Sequence, residues 1–260
     1  MYNKVIQGDC AAVLSSFPEE CIDLTCTSPP YDSARLYKGF VFDFEAIAQQ
    51  LFKVTKKGGV VVWVVGDQTI NGSESGTSFR QALYFKEIGF NLHDTMIYEK
   101  NGPAYPASFR SNRYSQVFEY MFILAKGKPK TYNLIKDKPN KWAGHQSFGR
   151  ATSRQVDGSL KERGKHITQD VGYRYNIWKY NTGFGYSSAD KRAFKHPAIF
   201  PDKLAEDHII TWSNEGDVVL DPMSGSGTVL IAAKKLNRKY IGIEISGEYC
   251  SLINERLENP

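Results

Sequence analysis

The chain has 260 residues, of which 41% are hydrophobic and 23% charged, and carries a net charge of +5. That length suits one α/β domain of ordinary size with a smaller inserted module. The longest apolar stretch, residues 60–65, falls far short of the roughly 20 residues that a bilayer span needs, and residues 1–4 lead into a strand-like segment rather than a secretory signal, so a soluble, cytoplasmic protein is expected.

Residues 3–7 and 21–26 read as strands, 44–55 as a helix, 60–65 as a strand entered through Gly58-Gly59, and 78–88 as a second helix. Residues 100–195 lose clear periodicity and gain Gly, Asn, aromatic and basic residues, which predicts a loop-rich insert. This stretch holds 19 Lys+Arg against 6 Asp+Glu, a surplus of 13 in a chain whose total is only +5. Such concentration fits a polyanionic partner, because phosphate contacts by Lys and Arg release condensed counterions; a solvated basic loop is the plainer alternative. Order returns with a helix at 202–212, a strand at 217–220, a Gly-rich turn, a helix at 228–236, a strand at 240–245 and a last helix at 247–257. Strand, turn, helix and strand within about 30 residues form a βαβ unit, which implies parallel pairing. The expected division is therefore 1–99, 100–195 and 196–260.

Cys10, Cys21, Cys26 and Cys250 form no Cys-x-x-Cys pair, and His145 and His166 lack a third ligand at suitable spacing, so neither a disulfide framework nor a metal site is expected.

Two turns carry chemistry. The later one reads Asp221-Pro222-Met223-Ser224-Gly225-Ser226-Gly227-Thr228. Gly225 and Gly227 let a ligand lie across the strand end at a helix N-terminus, although an isolated Gly-x-Gly is more often structural. Glu244 follows Gly225 by 19 residues, the spacing at which a carboxylate receives ribose hydroxyls; a solvated strand-end acid is the alternative. No third Gly and no Gly-Lys-Ser/Thr is present for phosphates. A phosphate-free nucleoside with a cationic tail is favoured, and S-adenosyl-L-methionine is such a molecule, with Asp221 facing its ammonium and Glu244 its ribose.

The earlier turn, Thr27-Ser28-Pro29-Pro30-Tyr31, follows a strand. Its two prolines fix φ and remove two donors, leaving acceptors on display, as in any proline-stiffened turn. An exocyclic amino nitrogen is a poor nucleophile because its lone pair is delocalised into the ring. If Ser28 Oγ and the Pro29 carbonyl accept its hydrogens, the lone pair is aimed at a methyl donor. Tyr31 would stack on a base rotated out of the duplex.

Together the two turns resemble the motifs of DNA amino-methyltransferases, in the permuted group where the catalytic motif comes first and the cofactor motif last. The resemblance implies a Rossmann-like methyltransferase fold, α/β with a mostly parallel sheet and helices on both faces, carrying an inserted DNA-recognition region. It implies that Asp9 and Cys10 border the cofactor adenine and that His196–Pro201 with Lys203-Leu204, Pro197 and Leu204 among them, wraps the methionine end. Pro222, Ser224, Thr228 and Ile245 complete the expected cofactor wall. Met223 departs from the family's usual Phe, exchanging an aromatic wall for a thioether. Asp67 is a candidate for the site or merely a turn residue.

No cysteine follows a proline, which disfavours carbon-5 methylation of cytosine. Family adenine enzymes mostly place Asp or Asn before Pro-Pro, so Ser28 favours cytosine N4, with adenine N6 the alternative; an RNA methyltransferase or an inactive DNA-binding homologue is more remote. The expected partner is double-stranded DNA in a restriction-modification setting, and a homodimer is compatible. DNA contacts are expected from Arg110, Arg113, Arg150, Arg154, Arg163, Lys165 and Arg174, with Trp142, Tyr173 and Tyr175 as stacking rings.

Overall fold

The computed structural model describes residues 2–31, 42–103, 112–146, 152–162 and 164–258. Its elements in chain order are β1 (Lys4–Gln7), α1 (Cys10–Ser15), β2 (Ile22–Thr27), α2 (Phe44–Val54), β3 (Thr55–Val65), β4 (Thr69–Ile70), β5 (Ser73–Glu74), α3 (Thr77–Glu87), β6 (Asn91–Lys100) and β7 (Phe118–Ala125). They continue with β8 (Lys136–Pro139), β9 (Thr152–Arg154), β10 (Leu160–Glu162), β11 (Val171–Tyr173), β12 (Ile177–Tyr180), a 3-10 helix (Lys191–Lys195), α4 (Asp202–Trp212), β13 (Val218–Asp221), α5 (Thr228–Lys235), β14 (Lys239–Glu244) and α6 (Gly247–Glu258).

The chain divides into two compact units, Met1–Asn133 with Asn176–Pro260, and Leu134–Tyr175. The first is built on an eight-stranded sheet in the order β1-β14-β13-β2-β3-β7-β6-β12. Every neighbouring pair is parallel except the two that β7 makes, with β3 and with β6.

The unbroken valines of β3 follow from burial on both faces, where no polar alternation is needed. Val61, Trp63 and Val65 join one apolar cluster with Leu14, Leu51 and Phe85 from α1, α2 and α3. Trp63 is fully buried, and its indole N–H donates to Gln81 Oε1 at 2.8 Å. Phe122 of β7 belongs to the same cluster. Its neighbour Met121 points to the other side, where Nε2 of His208 in α4 lies 3.2 Å from the Met121 sulfur. Helices therefore cover both faces, as the α/β reading requires.

The middle of the chain departs from expectation. The region expected as a loop-rich insert from 100 to 195 contains β7 and β12, both strands of the main sheet. β7 escapes a periodicity test because it is buried on both faces along residues 121–125, so apolar residues run on without alternation. What stands apart is the shorter stretch Leu134–Tyr175, in which β8 pairs β11 and β9 pairs β10, all antiparallel. Among its described residues no apolar side chain is buried.

Asp67 is occupied as a turn residue. Its Oδ1 accepts from the Ser78 backbone N–H at 2.9 Å and from Ser75 Oγ at 3.0 Å, while Ser78 Oγ donates to Oδ2. It thus holds the start of α3, whose N-cap Gly76 has no side chain to do so. Asp67→Ala is expected to cost about 1–2 kcal/mol, the worth of a lost helix cap, measured by urea denaturation, with methyl transfer kept.

Candidate active site

β2 and β13 are hydrogen-bonded neighbours, with Leu24 opposite Val219 and Thr25 opposite Leu220. The two motif turns therefore leave the sheet side by side at the carboxyl ends of parallel strands, where open α/β sheets bind ligands. Thr27 Oγ1 donates to Asp221 Oδ1 at 2.8 Å and ties them together. Both open into one cavity of about 1020 Å³. Ser28, Pro29, Pro30 and Tyr31 line it, as do Asp9, Cys10, Pro197, Leu204, Asp221, Pro222, Met223, Ser224, Gly225, Thr228, Glu244 and Ile245. Gly227 is the exception. It adopts φ +81°, and a Cβ there would lie 2.8 Å from Ile253, so it shapes the turn and packs it onto α6 rather than walling the cavity.

The Gly-rich turn is held from several sides. Glu244 Oε2 accepts the Gly225 N–H at 2.8 Å and Oε1 accepts that of Ser246 at 2.9 Å, leaving each oxygen a further lone pair. Burial raises the Glu244 pKa. Gly225, at φ +51°, lies against the His196 ring, where a Cβ would meet it at 3.0 Å. From α6, the buried Arg256 donates to the Ser226 carbonyl and, at 2.8 Å, to Asp190 Oδ2.

Asp221 is 4% exposed, and burial pushes its pKa up to about 7. Its Oδ1 accepts from Thr27 and from the Met223 N–H at 3.2 Å; among the described residues no donor reaches Oδ2. A buried carboxylate that is half satisfied and faces a cavity is suited to a cation. Cys10 lines the same cavity, but burial, with Asp9 adding to it, pushes its thiol up to about 12, so it is no nucleophile at neutral pH. Asp9 accepts the Ala12 N–H at 2.9 Å and caps α1.

At the other turn, Ser28 Oγ lies 3.0 Å from the Tyr31 hydroxyl, which donates to Glu119 Oε2 at 2.8 Å. Glu119 Oε1 is paired with Lys100 at 2.5 Å. Glu119, Lys100 and Tyr98 line the cavity, and sequence reasoning missed all three. Glu119 stands at the head of the apolar run 120–125, so recognising that run as a strand pointing at the site would have found it.

Of the residues expected on DNA, Arg110, Arg150 and Arg163 lie outside the described residues. Arg154 and Lys165 are exposed. Arg113 donates to the Gly72 carbonyl, and Arg174 is committed to Asp137, its Nε donating to the two carboxylate oxygens at 3.1 and 3.0 Å. Within Leu134–Tyr175, Lys136 lies over the Tyr173 ring at 4.8 Å, Lys138 over Tyr175 at 4.5 Å and Lys141 over Trp142 at 5.5 Å.

A mostly parallel sheet whose strand ends open into one pocket lined by two buried acids, Asp221 and Glu244, is the arrangement of an S-adenosyl-L-methionine-dependent methyltransferase. When bound, that molecule supplies an electrophilic methyl group on a sulfonium. The model of the N6/N4 DNA methylases matches residues 22–255, and the chain belongs to this family of DNA amino-methyltransferases. It is 59% identical over 239 residues to the orphan methyltransferase M.BamHII of Bacillus amyloliquefaciens, covering 92% of this chain and 89% of that protein. It is 25% identical to the type II methyltransferase M.SmaI of Serratia marcescens over 98% of this chain and 90% of the relative. Among solved structures, a DNA modification methylase of Thermus thermophilus in complex with S-adenosyl-L-methionine aligns with a TM-score of 0.64 and 26% identity, over 98% of this chain and 93% of that one.

Proposed function

We propose that this DNA methyltransferase acts on cytosine N4 in double-stranded DNA, with Ser28 and the Pro29 carbonyl accepting the two amino hydrogens of a base rotated out of the duplex. The reading rests on one observation: Ser28 heads the Pro-Pro-Tyr turn in the same cavity that holds Asp221 and Glu244. The family's adenine enzymes mostly carry Asp or Asn at that position, which favours cytosine here. Asp221 pairs with the ammonium of the methyl donor and Glu244 with its ribose hydroxyls. Target recognition is assigned to Leu134–Tyr175, which presents Arg154, Lys165 and the Lys–aromatic pairs in a stretch with 9 Lys+Arg against 4 Asp+Glu. Such sets suit phosphates and unstacked bases.

Incubation with labelled S-adenosyl-L-methionine and duplex DNA, followed by nucleoside analysis, is expected to give N4-methylcytosine; label in N6-methyladenine would overturn the choice of base. Ser28→Ala is expected to lower turnover by at least about tenfold with DNA affinity kept, since it removes one acceptor that matters only while the nitrogen attacks. Steady-state rates beside a DNA-binding titration check this, and equal turnover would remove the turn from catalysis.

A further inference from the structure

The cavity wall holds an ionic group that direct methyl transfer does not use. Glu119 Oε1 is neutralised by Lys100 at 2.5 Å, and Oε2 accepts from the Tyr31 hydroxyl at 2.8 Å. Ser28 Oγ at 3.0 Å and the Val64 carbonyl at 3.5 Å are the other acceptors within that hydroxyl's reach, and the shorter, charge-assisted bond to the Glu119 carboxylate wins the proton. Burial and the Glu119 charge raise the Tyr31 pKa well above its ordinary value, so Tyr31 stays a phenol.

A phenol has one hydrogen. With it given to Glu119, the contact of 3.0 Å between Tyr31 and Ser28 can be made only by the Ser28 hydroxyl donating. Ser28 Oγ then has its own hydrogen turned away and its lone pairs free, the state required of an acceptor for an amino N–H.

We propose that Glu119, anchored by Lys100, is a positioning residue that orients the chain Ser28 to Tyr31 to Glu119 and receives along it the proton released by the methylated amino group. As the nitrogen lone pair forms the N–C bond, the S–C bond breaks with its electron pair staying on sulfur, and the nitrogen is left with one proton too many. That proton passes to Ser28 Oγ, the Ser28 proton to Tyr31 and the Tyr31 proton to Glu119, which becomes a neutral acid and re-ionises to water. The inference rests on the catalytic reading of Ser28.

The test measures single-turnover methylation of duplex DNA at saturating S-adenosyl-L-methionine for the full chain, for Ser28→Ala, Tyr31→Phe and Glu119→Gln, and for the Tyr31→Phe/Glu119→Gln double variant. Both single changes in the relay are expected to slow the step at least about tenfold with affinity for both substrates within about twofold. The double variant should be no slower than the slower single one, because both remove the same chain. Glu119→Asp, which keeps the carboxylate, should regain part of the rate lost in Glu119→Gln although Gln is closer in size, a result that a merely structural role would not give. A Glu119→Gln rate within about twofold of the parent, additive losses or a Glu119→Asp rate no better than that of Glu119→Gln would overturn the relay. If Glu119→Gln does not fold, Tyr31→Phe decides by itself, an unchanged rate overturning the proposal. Unchanged Ser28→Ala would instead bring down the catalytic turn on which the relay stands.

Discussion

S-Adenosyl-L-methionine is expected to bind at least about tenfold more tightly at pH 7 than at pH 5.5. Asp221, with its pKa pushed up to about 7 in the free protein, is mostly neutral at the lower pH and half ionised at the higher. Only the carboxylate pairs with an ammonium, which itself keeps its proton across this range, as α-amino groups titrate near 8. The same burial makes the free protein less stable as the pH rises. The folded carboxyl holds its proton up to about pH 7 and the unfolded one releases it near 4, so the folded state binds more protons between these values. Stability contributed by the neutral form is complete below about pH 4 and is lost through pH 7, roughly 4 kcal/mol for a shift of about three units. Asp221→Asn should flatten both curves, giving a protein that resists urea better near pH 7 but binds the methyl donor weakly at every pH. Calorimetric titration and denaturation at pH 5.5 and 7 measure the two effects. A cofactor affinity independent of pH in the parent protein would detach Asp221 from the ammonium.

The second large effect is expected at Arg256. This residue, on the last helix, is 1% exposed, with Asp190 on one side of its guanidinium and the Ser226 carbonyl on the other. Against burial, hydrogen bonds from Arg192 first and then from Arg256 hold the Asp190 carboxyl well below the usual carboxylate range. Arg256→Ala removes a buried cation, leaves a carbonyl without its donor and opens a void under the Gly-rich turn. Losing one partner of a buried pair costs about 3–5 kcal/mol; because Arg192 remains for Asp190, the lower end is expected. Since Ser226 sits inside the cofactor turn, the KM for S-adenosyl-L-methionine should rise while the rate at saturation falls less. Urea denaturation and initial-rate kinetics report the two parts. A rise in KM with stability unchanged would show that Arg256 serves the turn without supporting the fold.

The parts of this fold that could be read from residues are those whose signal is local. The helix expected at 202–212 coincides with α4, and the strand, glycine turn, helix and strand from 217 to 245 appear as β13, α5 and β14, displaced by a residue or so at their ends. α1 escapes such a reading although Asp9 caps it, because six residues are too few for a helical period to show. β7 escapes it because a strand buried on both faces has no alternation, and its omission stretches the expected insert well beyond Leu134–Tyr175. The site divides in the same way. Ser28 to Tyr31 and Asp221 to Thr228 are compact motifs whose chemistry is written in adjacent residues. Glu119 and Lys100 lie 19 residues apart on antiparallel strands, and only the pairing of β6 with β7 brings them beneath Tyr31. Arg256 resembles a surface arginine in its helix until the packing of α6 on Gly227 places it inside. Arg174, expected on DNA, is paired with Asp137, 37 positions earlier, a contact that no local pattern announces.

The placement of both motif turns on adjoining strands has a consequence for how such an enzyme can change. Neighbouring strands sit about 4.8 Å apart whatever their sequence, so the gap between the two motif turns is inherited from backbone geometry rather than tuned by side chains. On the proposed assignment of target recognition to Leu134–Tyr175, mutation would rewrite that Lys- and aromatic-rich stretch, and with it the bases that are read, while the spacing of the two turns stays as the sheet sets it. New target sequences would then arise on an unchanged pair of turns.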